Sequence, residues 1–477
     1  MSNEIYSNPL TERYASVEMQ KIFSPYNKFR TWRTLWIALA ESQKELGLDI
    51  SEEQISEMKD GADEIDFEKA KEYEKKTRHD VMSHVLTFGE ACPKAKAVMH
   101  LGATSAFVGD NTDLVVYYRA LETIRKKLAV LILKLSEFAI EHKSQATLGF
   151  THYQPAQLTT VGKRATLWIQ DLHMDLLDLE HLMENYKIRG VKGTTGTQAS
   201  YLELFNGDHG KVMQLEMKVA EKIGFKDVFD VAGQTYSRKF DFKILSILSG
   251  IAQTLHKMTN DIRLLQNLKE IEEPFAKNQI GSSAMAYKRN PMRSERIASL
   301  SRYIMNNLGN ASATVSTQWF ERTLDDSANR RIVIPETFMA TDAILDIAAN
   351  ISTGLVVNEN VIKSDIEKEL PFMMTENILM EAVKKGGDRQ ELHERIRVHS
   401  MEAAKQVKQL GKPNDLLERI AEDATFKLNL EDLKLLMNPN LYIGRAPEQV
   451  DDFIEKIIEP IKKTYGEFAK AEVEMKV

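Results

Sequence analysis

Hydrophobic residues in the middle of the chain recur at alternating intervals of three and four positions. The first run comprises Leu114, Tyr117, Leu121, Ile124, Leu128, Leu131, Leu135 and Phe138. This spacing places them on one face of an α-helix, in the manner of a coiled-coil seam. A helix of about 30 residues is roughly 45 Å long. Asp110, Asn111 and Thr112 are predicted to cap its N-terminus.

Four further runs predict long helices in the same part of the chain. The second begins near Pro155, which suits the first turn of a helix, and ends before Gly190. Its apolar positions are Leu158, Val161, Ala165, Trp168, Leu172, Leu176, Leu179 and Met183. The other three runs cover 244–265, the stretch from Glu295 past Ile304, and 338–351.

The pattern predicts an all-α protein, because no segment alternates convincingly as a β-strand would. Only short extended pieces are expected, near Lys192–Tyr201. Three helical domains are predicted: an N-terminal domain of residues 1–104, a central bundle of very long helices over 105–357, and a C-terminal domain of 358–477. Very long helices need partners along their whole length, so we expect a homo-oligomer that shares a bundle. A long monomeric bundle is the alternative.

The composition is that of a folded protein, with 477 residues, 43% of them hydrophobic and 28% charged. The 63 basic and 70 acidic residues give a net charge of −7, which argues against a general nucleic-acid-binding protein. Cys92 is the single cysteine, so no disulfide forms within the chain; we expect an inert thiol in a reducing cytoplasm. No stretch approaches the roughly 20 apolar residues of a membrane span, and the N-terminus lacks a signal-peptide pattern.

Several familiar kinds of site are not supported by the sequence. His79 and His84 are five residues apart, which does not place them on one helical face as a zinc pair. The glycines of 192–197 match neither nucleotide-binding loop pattern, and the residues around Ser282 do not form the nucleophile elbow of a hydrolase. We therefore expect neither a metal nor a cofactor.

Six dense polar segments between the predicted helices are the candidates for chemistry. They are Thr77–His84, His100–Asp113, Gly149–Leu158, Gly233–Lys239, Gln279–Glu295 and Phe320–Arg331. The fifth combines a flexible glycine, two hydroxyls and several cations, which suits a loop that closes over an anion. The sixth contains three arginines, whose guanidinium groups bind carboxylate and phosphate in bidentate fashion. Together they predict a small polyanionic ligand; a solvated basic loop is the alternative for the fifth segment.

Three of these segments resemble the signatures of the fumarase/aspartase superfamily. They are GSSAMAYKRNP at 281–291, HLGATS at 100–105 and THYQPAQ at 151–157. Within that superfamily the chain resembles the adenylosuccinate lyase family, in the branch that includes the animal enzymes. This second resemblance rests on RHDVM at 78–82, GQTYSRK at 233–239, YKRNPMRSE at 287–295 and ERTLDDSANRR at 321–331.

The resemblance implies an anti β-elimination that releases fumarate from adenylosuccinate, giving AMP. It also implies the same reaction on the succinylated imidazole ribotide SAICAR, giving AICAR, in purine nucleotide biosynthesis. The partners it implies are small-molecule nucleotide substrates and three further copies of the chain, in a homotetramer whose active sites are each shared between three subunits. Alternatives are another fumarate-releasing member, such as argininosuccinate lyase, and a non-catalytic structural protein on the same scaffold.

The catalytic residues that the resemblance implies come from three segments. Ser282 is the general base, with the adjacent Ser283 as the competing candidate. Lys288 and Asn290 stabilise the negative charge that develops on the substrate carboxylate. His152 is the general acid, although it could instead cap the helix predicted from Pro155. The remaining catalytic candidates are Glu295, which orients His152, and His79, a second histidine of the pocket.

The resemblance also implies a set of substrate-binding residues. Contacts to phosphate and ribose are expected from Arg13, Tyr14, Arg296, Ser327 and Arg331. Contacts to the succinyl carboxylates are expected from Thr104 and Ser105, and further binding positions are Arg78, Asp80, Thr151, Gln234 and Arg322. His100 could face the phosphate or be structural.

One departure from the signature concerns the fifth segment. Ala286 stands where the superfamily has proline. Proline would restrict the backbone of the unfolded loop, an effect worth roughly 0.4–1 kcal/mol. Because Ala286 removes no reacting group, we expect an active enzyme in which only the rigidity of the loop differs.

Overall fold

The computed structural model describes residues 4–276 and 279–470 and has the predicted all-α fold. The N-terminal part contains five helices: α1 (Val17–Ile22), α2 (Pro25–Glu45), α3 (Glu52–Asp60), α4 (Phe67–Thr77) and α5 (Asp80–Ala91). A π-helical turn at Leu10–Tyr14 precedes them. Several of these helices begin at a serine whose hydroxyl accepts a hydrogen bond from the first turn, as Ser24 does from the backbone nitrogen of Asn27.

The central part contains the long helices. Its elements are α6 (Ser105–Glu141), β1 (Ala146–Thr151), β2 (Gln154–Thr160), α7 (Val161–Glu184), α8 (Ala199–Leu204), α9 (His209–Lys222), α10 (Lys239–Asn267), β3 (Ile271–Glu272), α11 (Met292–Ser316), α12 (Asp326–Thr353) and β4 (Val356–Val357). Helix α6 packs against α7 and α12, and α11 packs against both α10 and α12. The residues of the predicted seams on α6, α7 and α10 lie in one continuous hydrophobic core.

The C-terminal part is built from shorter helices. They are α13 (Glu359–Met373), α14 (Thr375–Lys384), α15 (Arg389–Leu410), α16 (Leu416–Glu422), α17 (Leu430–Leu435), α18 (Ala446–Phe453) and α19 (Glu459–Tyr465). Short helical turns lie at Ala424–Phe426, Pro439–Leu441, Ile454–Ile458 and Phe468–Lys470. The division into three domains stays a prediction. Residues 1–3 of the predicted N-terminal domain and 471–477 of the predicted C-terminal domain lie outside the described residues. Among the residues described, no helix is long and apolar enough to cross a membrane.

The predicted start of the second long helix is wrong. Pro155 lies in β2, which pairs antiparallel with β1, and α7 begins only at Val161. The two strands are joined by His152 and Tyr153, whose φ angles of 53° and 56° are those of a two-residue hairpin turn. Thr160 then caps α7, because its hydroxyl accepts a hydrogen bond from the backbone nitrogen of Lys163 at 3.1 Å.

Two other local predictions are also wrong. Helix α6 begins at Ser105, so Asp110, Asn111 and Thr112 are buried inside the helix and are not its caps. Asn111 instead exchanges two hydrogen bonds with the backbone of Gly190, at 2.9 and 3.1 Å. No strand is found over 192–201, all of whose residues are described; α8 begins within that stretch.

A buried ionic network joins α6, α10 and α12 where these helices begin. The guanidinium of Arg238, just before α10, donates to both carboxylate oxygens of Asp110 at 3.1 and 3.2 Å and to Asp326 at 2.7 Å. The guanidinium of Arg330 donates to Asp241 at 2.7 Å and pairs with Asp113 at 3.0 Å. Because Arg238 and Arg330 each have two carboxylate partners, the network holds the beginnings of the three helices in one arrangement. We call this end of the bundle the network end.

The β1–β2 hairpin and the segment before α11 lie at the opposite end. The Thr147 hydroxyl donates to Glu270, just after α10, at 3.3 Å. The side chain of Gln266, near the end of α10, donates to the backbone oxygen of Arg289 at 3.1 Å. Between Asp241 and Gln266, α10 rises by roughly 37 Å. The two ends are therefore far apart within one chain; we call the second the hairpin end.

Removing the charge of Arg238 should destabilise the fold. In Arg238→Met, Asp110 and Asp326 lose their shared cation, and breaking a buried ion pair typically costs about 3–5 kcal/mol of unfolding free energy. We expect the thermal unfolding midpoint to fall by several degrees in differential scanning calorimetry. Arg397→Met is the control, because Arg397 pairs with Glu394 on the exposed surface and such pairs contribute little. Equal midpoints for the two variants would contradict a stabilising role of the network.

Candidate active site

A cleft of about 730 Å³ opens at the network end of the bundle. It lies between the N-terminal helices and the beginnings of α6 and α12. The predicted site residues that line it are Arg78, His79, Asp80, Thr104, Ser105, Gln234, Arg322, Ser327 and Arg331. Four separate polar segments of the sequence therefore meet in one cleft.

His79 is held in a defined orientation at the start of α5. Its Nδ1 atom accepts a hydrogen bond from the backbone nitrogen of Met82 at 3.3 Å, so the ring caps the helix. In the neutral ring this leaves the hydrogen on Nε2, which lies 3.2 Å from the Ser105 hydroxyl. His79 thus presents a hydrogen-bond donor to the cleft, next to a hydroxyl that was predicted to bind substrate.

The cations of the cleft are placed by hydrogen bonds to their neighbours. Arg322 donates to the side-chain oxygen of Gln234 at 2.8 Å, and the backbone nitrogen of Gln234 donates to Glu321 at 3.0 Å. Arg331 donates to Asp80 at 3.3 Å. Guanidinium groups fixed in this way match the fork geometry that phosphate and carboxylate groups require.

The network beneath the cleft keeps its charges. Burial alone would lower the pKa of Arg238, but Asp110 raises that pKa above its ordinary value. Burial raises the pKa of Asp113, while the nearby Arg330 opposes the shift. Arg330 also donates to the Tyr236 hydroxyl at 2.5 Å. The floor of the cleft is thus a set of arginine and aspartate side chains that pair with one another.

The segment that carries Ser282 lies at the hairpin end. The Ser282 hydroxyl oxygen accepts hydrogen bonds from the backbone nitrogens of Ala284 at 3.3 Å and Met285 at 3.1 Å. Asn290 donates from its side chain to the backbone oxygen of Gly281 at 2.7 Å and so ties the two ends of the segment together. A Cβ atom on Gly281 would lie 2.2 Å from the backbone oxygen of Lys288, so this close approach requires glycine.

His152 is fully presented to solvent at the tip of the β1–β2 hairpin. All residues of 151–157 are exposed, including Thr151. Glu295, predicted to orient His152, is exposed in the first turn of α11. No hydrogen bond joins Glu295 to His152 among the described residues. The predicted acid and its orienting carboxylate are therefore not paired within one chain.

The remaining predicted residues form a third group. The guanidinium carbon of Arg296 lies 5.8 Å from the centroid of the Tyr14 ring, and Arg13 is exposed beside it in the N-terminal π-helical turn. Helix α11 connects Arg296 directly to the Ser282 segment. Within the described residues, the lining of the cleft includes none of Arg13, Tyr14 and Arg296.

The structure also shows residues that sequence reasoning left open or missed. His100 accepts a hydrogen bond at Nδ1 from the Trp36 indole at 2.8 Å, and burial lowers its pKa to about 4. Burial has the opposite effect on the Cys92 thiol, whose pKa it raises to about 11.

The cleft wall further includes Lys28, Glu74 and Asp113, none of which was predicted. Lys28 and Glu74 lie outside the dense polar segments, and Asp113 ends the segment His100–Asp113 but was assigned no role in it.

Comparisons with known proteins agree with this fold. The family model described as "Lyase" matches residues 15–306, and the one described as "Adenylosuccinate lyase C-terminus" matches 371–453. The solved structure of a fumarate lyase from Mesorhizobium sp. BNC1 superimposes with a TM-score of 0.79 at 21% identity, over 95% of this chain and 100% of that one. A 3-carboxy-cis,cis-muconate lactonizing enzyme from Pseudomonas putida gives 0.81 at 20% identity, over 95% and 100%. The chain thus has the helical fold of the lyase superfamily suggested by its signatures.

Relatives of higher sequence identity show which family within the superfamily the chain belongs to. Adenylosuccinate lyase of Saccharomyces cerevisiae is 54% identical over 454 residues, which is 94% of each chain. The Schistosoma mansoni enzyme of the same name is 50% identical over 97% of each chain, and that of Pyrococcus abyssi is 32% identical over 95% of this chain and 98% of its own. This chain belongs to the adenylosuccinate lyase family. It is a carbon–nitrogen lyase.

The Ser282 segment should tolerate proline at position 286. The backbone nitrogen of Lys288 donates to Met285 at 3.0 Å, which places Ala286 second in a turn, where proline is favoured. We expect Ala286→Pro to change the kcat of the lyase reaction by less than about tenfold, since the effect on loop entropy is small.

Gly281→Ala is the matched comparison in the same segment. Its new Cβ would collide with Lys288, so the segment must shift, and a misplacement of 1 Å can cost about a hundredfold in rate. We expect kcat to fall at least tenfold, with a smaller effect on the thermal midpoint because 283–289 of the segment are exposed. Full activity in Gly281→Ala, or none in Ala286→Pro, would contradict this account of the segment.

Proposed function

We propose that the enzyme catalyses β-elimination of fumarate from adenylosuccinate, giving AMP, and from SAICAR, giving AICAR. These substrates combine a phosphate with two carboxylates. The observation that carries the proposal is that three arginines, one histidine and two hydroxyl side chains line the same cleft. They are Arg78, Arg322, Arg331, His79, Thr104 and Ser105. Together with membership of the family, this favours a succinylated nucleotide. Purine nucleotide biosynthesis and a cytoplasmic location go with the proposal.

Ser282 is the residue best placed to remove the proton. A serine hydroxyl is a weak base, and only hydrogen bonds to its deprotonated form make the alkoxide accessible. The backbone nitrogens of Ala284 and Met285 already donate to this oxygen, whereas the adjacent Ser283 has no hydrogen bond within the described residues. This difference supports Ser282 over Ser283 as the base.

The remaining steps concern charge on the substrate. Loss of the proton leaves negative charge on the neighbouring carboxylate, which Lys288 and Asn290 stabilise as the carbon–nitrogen bond breaks. His152 protonates the departing nitrogen, because a protonated imidazole can act as a general acid toward a leaving group. Glu295 orients His152, and His79 donates to the substrate from the wall of the cleft. Arg13, Tyr14 and Arg296 complete the contacts to phosphate and ribose.

These roles require several chains. The binding cleft lies at the network end of the bundle, and the base and the acid lie at the hairpin end of the same chain. A homotetramer in which three subunits contribute to each site brings them together. An exposed apolar face on α7 supports such an assembly: Leu167, Met174 and Leu177 are 51%, 57% and 50% exposed. Apolar residues on a bundle helix are normally covered.

Fumarate release by the purified protein is the direct test of the reaction. We expect release from adenylosuccinate and from SAICAR, and none from argininosuccinate, because the cleft is built for a phosphorylated substrate. Fumarate and AMP are quantified by chromatography, with Ser282→Ala as the inactive control and Ser283→Ala as the active one. Release from argininosuccinate alone would overturn the nucleotide assignment, and release from none would favour a structural protein.

Mixing inactive variants tests the sharing of sites. His152→Ala and Ser282→Ala each lack one reacting group, and a mixed tetramer contains some sites that have both. We expect partial recovery of fumarate release after the two proteins are unfolded together and refolded, but not when they are refolded apart. If the base and the acid of each site came from the same chain, co-refolding would restore nothing.

A further inference from the structure

Lys28 stands in the wall of the cleft one turn into α2. It lies among residues that were predicted to bind substrate, including Arg78 and Asp80. Its ammonium nitrogen is 5.1 Å from the ring centroids of both Phe29 and Trp32. Cation–π contacts with these two rings hold the ammonium in place in the wall of the cleft.

Three other cations of the cleft are paired with protein carboxylates, and Arg322 donates to the Gln234 side chain. Arg238 and Arg330 each have two carboxylate partners, and Arg331 pairs with Asp80. In the part of the chain that the structure describes, the Lys28 ammonium has neither a hydrogen bond nor an ion pair. Asp113 and Asp80 act on it only across longer distances. The cleft therefore contains a held positive charge without a contact partner.

This arrangement is costly for the protein alone. Burial lowers the pKa of Lys28, and Asp113 only partly offsets that effect. A half-buried ammonium without an acceptor loses water contacts that nothing in the protein replaces. An anionic oxygen of a bound ligand would supply the missing acceptor. Hydrogen bonds between charged partners are roughly twice as strong as neutral ones.

We propose that Lys28 is a substrate-binding residue of this site, whose ammonium contacts an anionic oxygen of the ligand. The inference rests on the proposed function in that the ligand is a succinylated nucleotide. Such a ligand offers phosphate and carboxylate oxygens, which share the same chemistry toward an ammonium. The two products separate these sources, because AMP contains only the phosphate and fumarate only the carboxylates.

The test compares Lys28→Met, Lys28→Arg and Lys44→Met. Lys28→Met keeps the apolar stem and removes the charge, whereas Lys28→Arg restores a charge. Lys44 is the matched control, because it lies on the same helix and pairs with Glu52 away from the cleft. The measurements are kcat and KM with adenylosuccinate, calorimetric Kd for AMP and for fumarate, and the thermal midpoint of each variant.

We expect Lys28→Met to raise the KM about tenfold or more, with a smaller change in kcat, as for loss of a charged hydrogen bond. The Kd of one product should rise by a similar factor and so identify the group that Lys28 contacts. Lys28→Arg should regain most of the affinity, and Lys44→Met should match the wild type.

Two results would overturn the inference. One is an unchanged KM together with unchanged Kd values for both products in Lys28→Met. The other is a lowered thermal midpoint with equal losses in Lys28→Met and Lys28→Arg, which would show that Lys28 only packs against the two rings. Because calorimetry requires no turnover, the binding result decides the role of Lys28 even if the wild type released no fumarate.

Discussion

The pairing of two buried arginines with four carboxylates sets the geometry on which the binding cleft depends. Buried charges are tolerated only with full pairing, and apolar residues of the same volume would often be as stable. What the ionic network adds is direction, since each guanidinium donates to its carboxylate partners at fixed angles. Arg238 and Arg330 therefore fix how α6, α10 and α12 are rotated about their axes. Ser105 and Arg331, within two turns of network residues on the same helices, take their positions from this arrangement.

The two ends of the bundle are built by different kinds of interaction. At the network end, the two buried arginines, Arg238 and Arg330, are each paired with two carboxylates. At the hairpin end, the hydroxyl of Ser282, the proposed base, accepts backbone hydrogen bonds in a largely exposed segment, and the proposed acid His152 lies in a two-residue turn. A rigid receptor is thus combined with reactive groups on exposed supports, which suits groups that must approach a ligand already bound.

Much of this architecture could be predicted from the sequence, because burial on one helical face forces the spacing of three and four seen in α6, α7 and α10. The boundaries of the helices and strands were harder to predict. Pro155 suits a helix start, but tertiary pairing with β1 placed it in a strand, and the turn at His152 and Tyr153 lacks the usual Asn-Gly signal. Asp110 looked like a cap because its buried partner, Arg238, is more than a hundred residues away in the sequence.

The candidate site was predictable in its chemistry but not in its layout. Dense polar segments such as Gln279–Glu295 cannot be explained as core, so they were recognised at once. Lys28 was missed because a lone lysine near a helix start looks like a solvated position. Local spacing also says nothing about which segments meet. The separation of roughly 37 Å between the network end and the hairpin end became evident only when the helices had been placed.

The length of α10 has a consequence for how the enzyme behaves on dilution. If one chain alone cannot bring Ser282 to its own cleft, the folded monomer is inert, and catalysis appears only after association. Activity is then governed by mass action as well as by folding. Refolding should show a first-order phase for the helices, followed by a concentration-dependent phase for the return of turnover. In the proposed assembly, the length of α10 therefore makes the enzyme's activity depend on its concentration.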